Sequence, residues 1–142
     1  MNLKLENIHL NQTINSKKEA FERLIEIFQK KNCCKYQYLQ SMEKRDLESS
    51  VALGNYLALA HGNYEGNDLI FQNCIEIIHL KNTLDWDGQP VRFIIGLAVK
   101  NTEQIDYIQK IGLAFIEIEK VEEILNDPNL NKEKVFNWIN NS

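Results

Sequence analysis

The 142 residues, 44% hydrophobic and 25% charged, suffice for one globular domain with a substantial single core, and leave no room for a second. A formal net charge of -4 argues against a binder of nucleic-acid backbones, which concentrates Lys and Arg on one face. No apolar run approaches the roughly 20 residues that cross a bilayer, and the opening Met-Asn-Leu-Lys-Leu-Glu lacks the apolar stretch of a signal peptide, so a cytoplasmic protein is expected.

Residues 3 to 11 alternate weakly through Leu5, Ile8 and Leu10, which predicts a first strand ending at Asn11-Gln-Thr. Ser16-Lys-Lys-Glu19 reads as a capping box opening a helix. Phe21, Leu24, Ile25 and Phe28 form its apolar face, and Lys30-Lys31-Asn32 closes it with positive charge at the negative end of the dipole. Three cysteines, Cys33, Cys34 and Cys74, include an adjacent pair and no Cys-x-x-Cys, which implies neither a disulfide framework nor a zinc knuckle. Buried structural thiols are expected of Cys33 and Cys34.

A second helix is predicted from about Lys35 to Leu47, with Tyr38, Leu39 and Met42 inward. Arg45 lies one turn beyond Met42, where by position alone it compensates the helix C-terminus. In Leu53-Gly-Asn-Tyr-Leu-Ala-Leu-Ala-His-Gly-Asn63 an apolar strand delivers His61 to a loop at Gly62. Loops just beyond strand ends collect reacting groups in open α/β sheets.

Residues 63 to 66 read as a loop, Asp68 to Phe71 as a helical turn and Cys74 to Leu80 as a strand. Cys74 and His79 fall on opposite faces of that strand and cannot share a metal, so His79 reads as a structural residue at the strand end. No other cluster has ligand spacing, and no cofactor is expected. Leu84-Asp-Trp-Asp-Gly88 carries an Asp-Gly turn signal before Val91 to Val99, a strand buried on both faces, with Arg92 snorkelling at its entrance. Asn101-Thr-Glu-Gln104 begins a helix with Ile105, Ile108, Ile111 and Phe115 as its stripe, and its amides offer a wall for an anion. At that N-terminus Gln104 reads most simply as a capping-box partner. Helices at about Lys120 to Asn126 and Lys132 to Asn140, split by Asp127-Pro128, cover the core. The expected fold is α/β: a single domain, residues 1–142, with a mixed, mostly parallel sheet of about five strands and helices on both faces.

Met42, Arg45, Asp46, Leu53-Gly54, Leu57-Ala-Leu59 and His61-Gly62 stand together at one ungapped spacing, and Trp86-Asp-Gly with Val91-Arg-Phe-Ile-Ile-Gly-Leu-Ala98 makes a second block. These resemble the enzyme IIA components of the sugar phosphotransferase system, mannitol/fructose class, the second block being most like the mannitol branch. The resemblance runs from about residue 3 to about residue 139. It implies that His61 accepts a phosphoryl group from the histidine-phosphorylated carrier HPr and gives it to a cysteine of the mannitol enzyme IIB or IICB component. It also implies that Arg45 sits beside the phosphorylated ring.

Three positions depart from the family pattern. Ala60 replaces the proline before the histidine, Val51 replaces a small hydroxyl residue, and Gln104 occupies the place of a second histidine. Glutamine donates a hydrogen bond but carries no proton charge. Those departures keep open a second expectation, a IIA-like regulatory module that signals phosphorylation state without serving sugar uptake.

Overall fold

The computed structural model describes residues 1–142 throughout. A short 3-10 turn at Leu5–Asn7 leads into β1 (Ile8–Gln12), so the first strand begins later than the alternation suggested. Helix α1 (Lys17–Lys30) starts on Ser16, whose hydroxyl accepts the Glu19 amide at 3.1 Å. The Glu19 carboxylate reaches back one residue further than a capping box requires, to the Asn15 amide at 3.0 Å. Phe21, Leu24, Ile25 and Phe28 are buried as their spacing predicts.

Helix α2 (Tyr38–Glu48) is followed by two strands where one had been expected. β2 (Ala52–Gly54) turns through Asn55 into β3 (Tyr56–His61), and the two pair antiparallel. Gly54, Asn55 and Tyr56 all take positive φ, which suits Gly and Asn and makes the turn tight enough to fold β2 back as a sheet edge. Residues Tyr64–Leu69 then form a 3-10 helix capped by Asn63, earlier in the chain than the predicted turn.

β4 (Cys74–Trp86) and β5 (Gln89–Ala98) make a long hairpin closed at Asp87-Gly88, both at positive φ as a type I′ turn demands. The sheet order is β1-β4-β5-β3-β2. β1 with β4 and β3 with β5 are parallel, while β4 with β5 and β2 with β3 are antiparallel. The expected five-stranded mixed sheet with helices on both faces is therefore present.

Alternation along the central strands separates two cores. Ala58, Ala60, Ile94 and Ala98 face α1 and α2. Leu57, Leu59, Phe93, Ile95 and Leu97 face α3 (Asn101–Phe115), α4 (Ile118–Leu125) and α5 (Lys132–Asn140). A Cβ on Gly96 would lie 2.5 Å from Leu24 Cδ2, so this glycine sets how closely α1 approaches the sheet.

Three further expectations are corrected. Cys33 and Cys74 form a disulfide across a Cα–Cα distance of 6.1 Å, because the topology sets the end of α1 against the start of β4, and Cys34 alone stays a buried thiol. His79 lies in the middle of β4, since the strand runs on through the polar Lys81-Asn-Thr83 as a hairpin arm; its Nδ1 accepts the Asn11 amide at 3.0 Å. In α3 the buried face is Tyr107, Ile111, Ala114 and Phe115, and Ile105 is 57% exposed, because the helix turns its Tyr107 side to the sheet. Arg92 is partly exposed, as expected, and on its way out its Nε donates to the Leu80 carbonyl at 2.9 Å, clasping the irregular stretch of the hairpin. No helix is long and apolar enough to cross a membrane.

Candidate functional site

His61 ends β3 in register with Leu97 of β5, at the edge of the sheet where the parallel pair β3 and β5 finishes. That edge is where open α/β sheets bind ligands. Its ring nitrogen Nδ1 lies 3.0 Å from the Gly62 carbonyl oxygen. A carbonyl only accepts, so Nδ1 carries the proton and Nε2 keeps its lone pair. Nε2 has no partner within the protein and is not sealed from solvent. Burial holds the imidazole below its usual pKa, the Gly62 hydrogen bond opposes this, and the Arg45 cation lowers it further, so the neutral ring predominates near pH 7.

A cavity of about 380 Å³ opens at this point, lined by Arg45, Glu48, His61, Asn63, Asn101 and Gln104 among others. Arg45 donates from Nη1 to the Ser49 carbonyl at 2.7 Å, so it does terminate α2 electrostatically. The same guanidinium also lines the cavity and lies close enough to His61 to lower its pKa. Gln104 sits on the first turn of α3 facing the cavity. It caps nothing through its side chain, since the N-cap is Lys100 without a side-chain hydrogen bond.

The α3 N-terminus offers less to an anion than its position suggested. The Asn101 amide is held by Asn67 Oδ1 at 2.7 Å, and the Glu103 and Gln104 amides by the Lys100 carbonyl at 2.9 and 3.0 Å. Of the first-turn amides only that of Thr102 is left free, and the cavity is lined here by the side chains of Gln104 and Asn101, the latter donating from Nδ2 to the Tyr64 carbonyl at 2.9 Å.

Sequence reasoning missed the face of α2 behind the loop. Tyr38, Ser41 and Arg45 follow one another at i, i+3 and i+7, one side of a helix. The buried Tyr38 hydroxyl accepts the Gly62 amide and donates to the Leu97 carbonyl, each at 2.8 Å. Ser41 Oγ accepts the Asn63 amide at 3.0 Å and donates to Asn63 Oδ1 at 2.7 Å. A Cβ on Gly62 would stand 2.5 Å from Tyr38 Cε1, and one on Gly66 would meet Ser41 Oγ, so both glycines exist to let the loop lie on this helix. A polar Ser41 beside the inward Met42 was the signal available in the sequence.

Of the departures, Val51 is buried and its carbonyl accepts the Leu59 amide at 2.9 Å, while Ala60 is fully buried against α1 and α2. Asp46, next to Arg45, turns away from the cavity. Its Oδ1 accepts the Val51 amide at 3.0 Å and the Trp86 indole at 3.1 Å, and its Oδ2 meets Lys17 Nζ at 2.8 Å.

The model of the family described as phosphoenolpyruvate-dependent sugar phosphotransferase system, EIIA 2, matches residues 1–142. The chain belongs to that family. It is 35% identical over 139 residues to the mannitol-specific phosphotransferase enzyme IIA component of Mycoplasma pneumoniae, covering 98% of this chain and 97% of that one. The corresponding component of Halalkalibacterium halodurans is 35% identical over 124 residues, 87% of this chain and 86% of the other. In fold it is similar to IIA mannitol from Escherichia coli, with a TM-score of 0.85 at 22% identity over 98% of this chain and 99% of that chain. The E. coli protein in complex with phosphorylated enzyme IIB of the mannitol system gives a TM-score of 0.88 at 22% identity, covering 99% of both chains. This IIA-family chain therefore has mannitol-type relatives and the IIA mannitol fold.

Proposed function

We propose that the protein is a mannitol-type phosphoryl carrier that takes a phosphoryl group from histidine-phosphorylated HPr onto Nε2 of His61 and passes it to a cysteine thiolate of the mannitol enzyme IIB component. The observation that carries this reading is a neutral imidazole whose Nδ1–H is committed to a backbone carbonyl while Nε2 opens into a cavity lined by a cation. In that reading the protein works in the cytoplasm beside the permease, and the E. coli complex with phosphorylated IIB supports the choice of acceptor.

The Nε2 lone pair attacks phosphorus as the P–N bond of the donor breaks and returns its electrons to the donor ring. The His61 ring takes up positive charge and keeps its proton on Nδ1. Arg45 offsets the charge of the phosphoryl oxygens, and the Gln104 side-chain amide donates to them. A cysteine thiolate then attacks phosphorus, the Nε2–P bond breaks, and His61 regains its neutral state. Glutamine at 104 positions and donates but exchanges no proton.

Incubation with enzyme I, HPr and phosphoenolpyruvate is expected to label the wild type and leave His61→Ala unlabelled. Equal labelling of both overturns the assignment. Labelling by HPr without passage to mannitol IIB favours a regulatory module instead, a reading motivated by the replaced second histidine at Gln104.

A further inference from the structure

We propose that Ser41 is a positioning residue for the phosphoryl carrier, acting through the Gly62–Asn63 peptide unit to fix the tautomer of His61 and to support the charge that its ring acquires. The role rests on the phosphocarrier reading of His61, but the geometry stands apart from it. The His61 Nδ1–H donates to the Gly62 carbonyl at 3.0 Å, and the amide on the other side of that same peptide unit, Asn63 N–H, donates to Ser41 Oγ at 3.0 Å. The Ser41 hydroxyl donates in turn to Asn63 Oδ1 at 2.7 Å, and that oxygen also accepts the Gly66 amide at 3.2 Å.

Each link strengthens the next. A peptide whose N–H is engaged has a more basic carbonyl, and a hydroxyl that donates is a better acceptor. The chain from the Asn63 side chain through Ser41 to the Asn63 amide therefore ends in a Gly62 oxygen polarised toward the imidazole, while the Gly66 amide anchors Asn63 Oδ1 in place. Ser41 is 6% exposed, so water does not substitute readily for the hydroxyl. Gly62 and Gly66, which have no Cβ to strike Tyr38 or Ser41, keep the loop close enough for the links to form.

Two consequences follow for the chemistry. The polarised carbonyl holds the proton on Nδ1 and so presents the lone pair on Nε2 toward the cavity. When Nε2 bonds to phosphorus and the ring becomes cationic, the same carbonyl stabilises it, and a ring kept protonated is the better leaving group in the next transfer. Tyr38 holds the neighbouring peptide, His61–Gly62, and lacks this connection to the carbonyl.

The test is nitrogen NMR of the unphosphorylated protein, paired with HPr-dependent phosphorylation rates. Ser41→Ala is expected to shift the neutral His61 ring away from the Nδ1–H tautomer, to lower its titration midpoint, and to slow labelling several-fold. Ser41→Thr, which keeps a hydroxyl, is expected to restore all three, and Tyr38→Phe to leave the tautomer ratio in place. A Ser41→Ala protein that melts at lower temperature with tautomer, midpoint and rate unmoved shows a merely structural serine and overturns the proposal. A tautomer shift in a protein that HPr does not label at all, wild type included, sustains the relay and removes the phosphocarrier reading.

Discussion

The Tyr38 hydroxyl stands 2.8 Å from both the Gly62 amide and the Leu97 carbonyl, and so ties α2 to the residue after His61 and to the strand beside it. Tyr38→Phe leaves a buried donor and a buried acceptor unpaired, at about 1–3 kcal/mol for each. Its urea midpoint is expected to fall accordingly. Gly62→Ala is expected to be at least as damaging, since the new methyl would stand 2.5 Å from the Tyr38 ring and 2.6 Å from Ser41 Oγ. Phosphorylation of that variant should fall with its stability, because the displaced peptide carries the carbonyl that orients His61.

Asp46 predicts a sharp asymmetry between two ends of one ion pair. The carboxylate is 4% exposed and serves the Val51 amide, the Trp86 indole and Lys17 at once. Asp46→Ala orphans two buried donors, and about 2–5 kcal/mol of stability is expected to go with them. Lys17 is more open to solvent, with 37% of its side chain exposed, and Lys17→Met should cost about 1 kcal/mol or less. Chemical denaturation of both variants checks the contrast; equal losses would show that the pair, and not the buried hydrogen bonds, holds the α2–β2 connection.

Much of this arrangement was legible before any coordinates. The apolar alternation before His61-Gly62 placed the ring at a strand end, and the i, i+3, i+4, i+7 spacing of α1 named its buried face. What stayed hidden depends on elements distant in sequence. Nothing near Cys33 says that β4 begins beside it, and nothing near Ser41 says that residues 62–66 will lie across α2. The strand reads as ending at Leu80 because the apolar run stops at Lys81-Asn-Thr83, whereas the hairpin arm runs past the sheet's edge and needs no buried face there. Gln104 reads first as a capping-box partner because its spacing from Asn101 fits that rule, and nothing local says that the helix begins one residue earlier, on Lys100, and leaves Gln104 lining the cavity.

The disulfide closes a span of 41 residues that holds α2, the β2–β3 hairpin and the His61 loop. In the chain-entropy picture such a crosslink contributes about 4 kcal/mol by restricting the unfolded chain. A Cys33→Ser, Cys74→Ser double variant, or wild type in excess dithiol, is expected to unfold at lower denaturant by up to that amount. Cys34 does not take over the pairing readily, because burial pushes its thiol up to about 11 and leaves little thiolate to attack a disulfide. An unchanged midpoint under reducing conditions counts against the crosslink as a stabilising element.

His79 makes stability depend on pH. Burial, and secondarily the Arg92 cation, lower its pKa to about 4, below the 6.5 of the unfolded chain. Its Nδ1 lone pair is taken up by the Asn11 amide and its Nε2–H is buried without a partner, so a second proton can enter only at Nδ1, at the expense of that hydrogen bond. Above 6.5 the ring is neutral in both states and costs nothing; as pH falls from 6.5 toward 4 the unfolded state binds a proton that the folded state refuses, and stability declines. The melting temperature of wild type minus that of His79→Phe should fall as pH drops from 6.5 toward 4, as only the wild type carries this slope. Parallel curves would place the acid sensitivity elsewhere.

The same logic applied to His61 reaches the reaction itself. Acceptance of phosphate needs the neutral ring, and burial with Arg45 holds its pKa below 6.5, so the acid limb of the phosphorylation rate is expected below that value, with a plateau through neutrality. Arg45→Gln removes one lowering influence and, in the proposed transfer, the cation that meets the phosphoryl oxygens. Its acid limb should move up toward 6.5 and its plateau drop on the order of 10²-fold. Gln104→His places a titratable group in the cavity, and is expected to raise the rate or add a second inflection near neutral pH. If neither the rate nor its profile responds, Gln104 lies outside the transfer step, and the cation at 45 and the carbonyl at 62 are left to support His61.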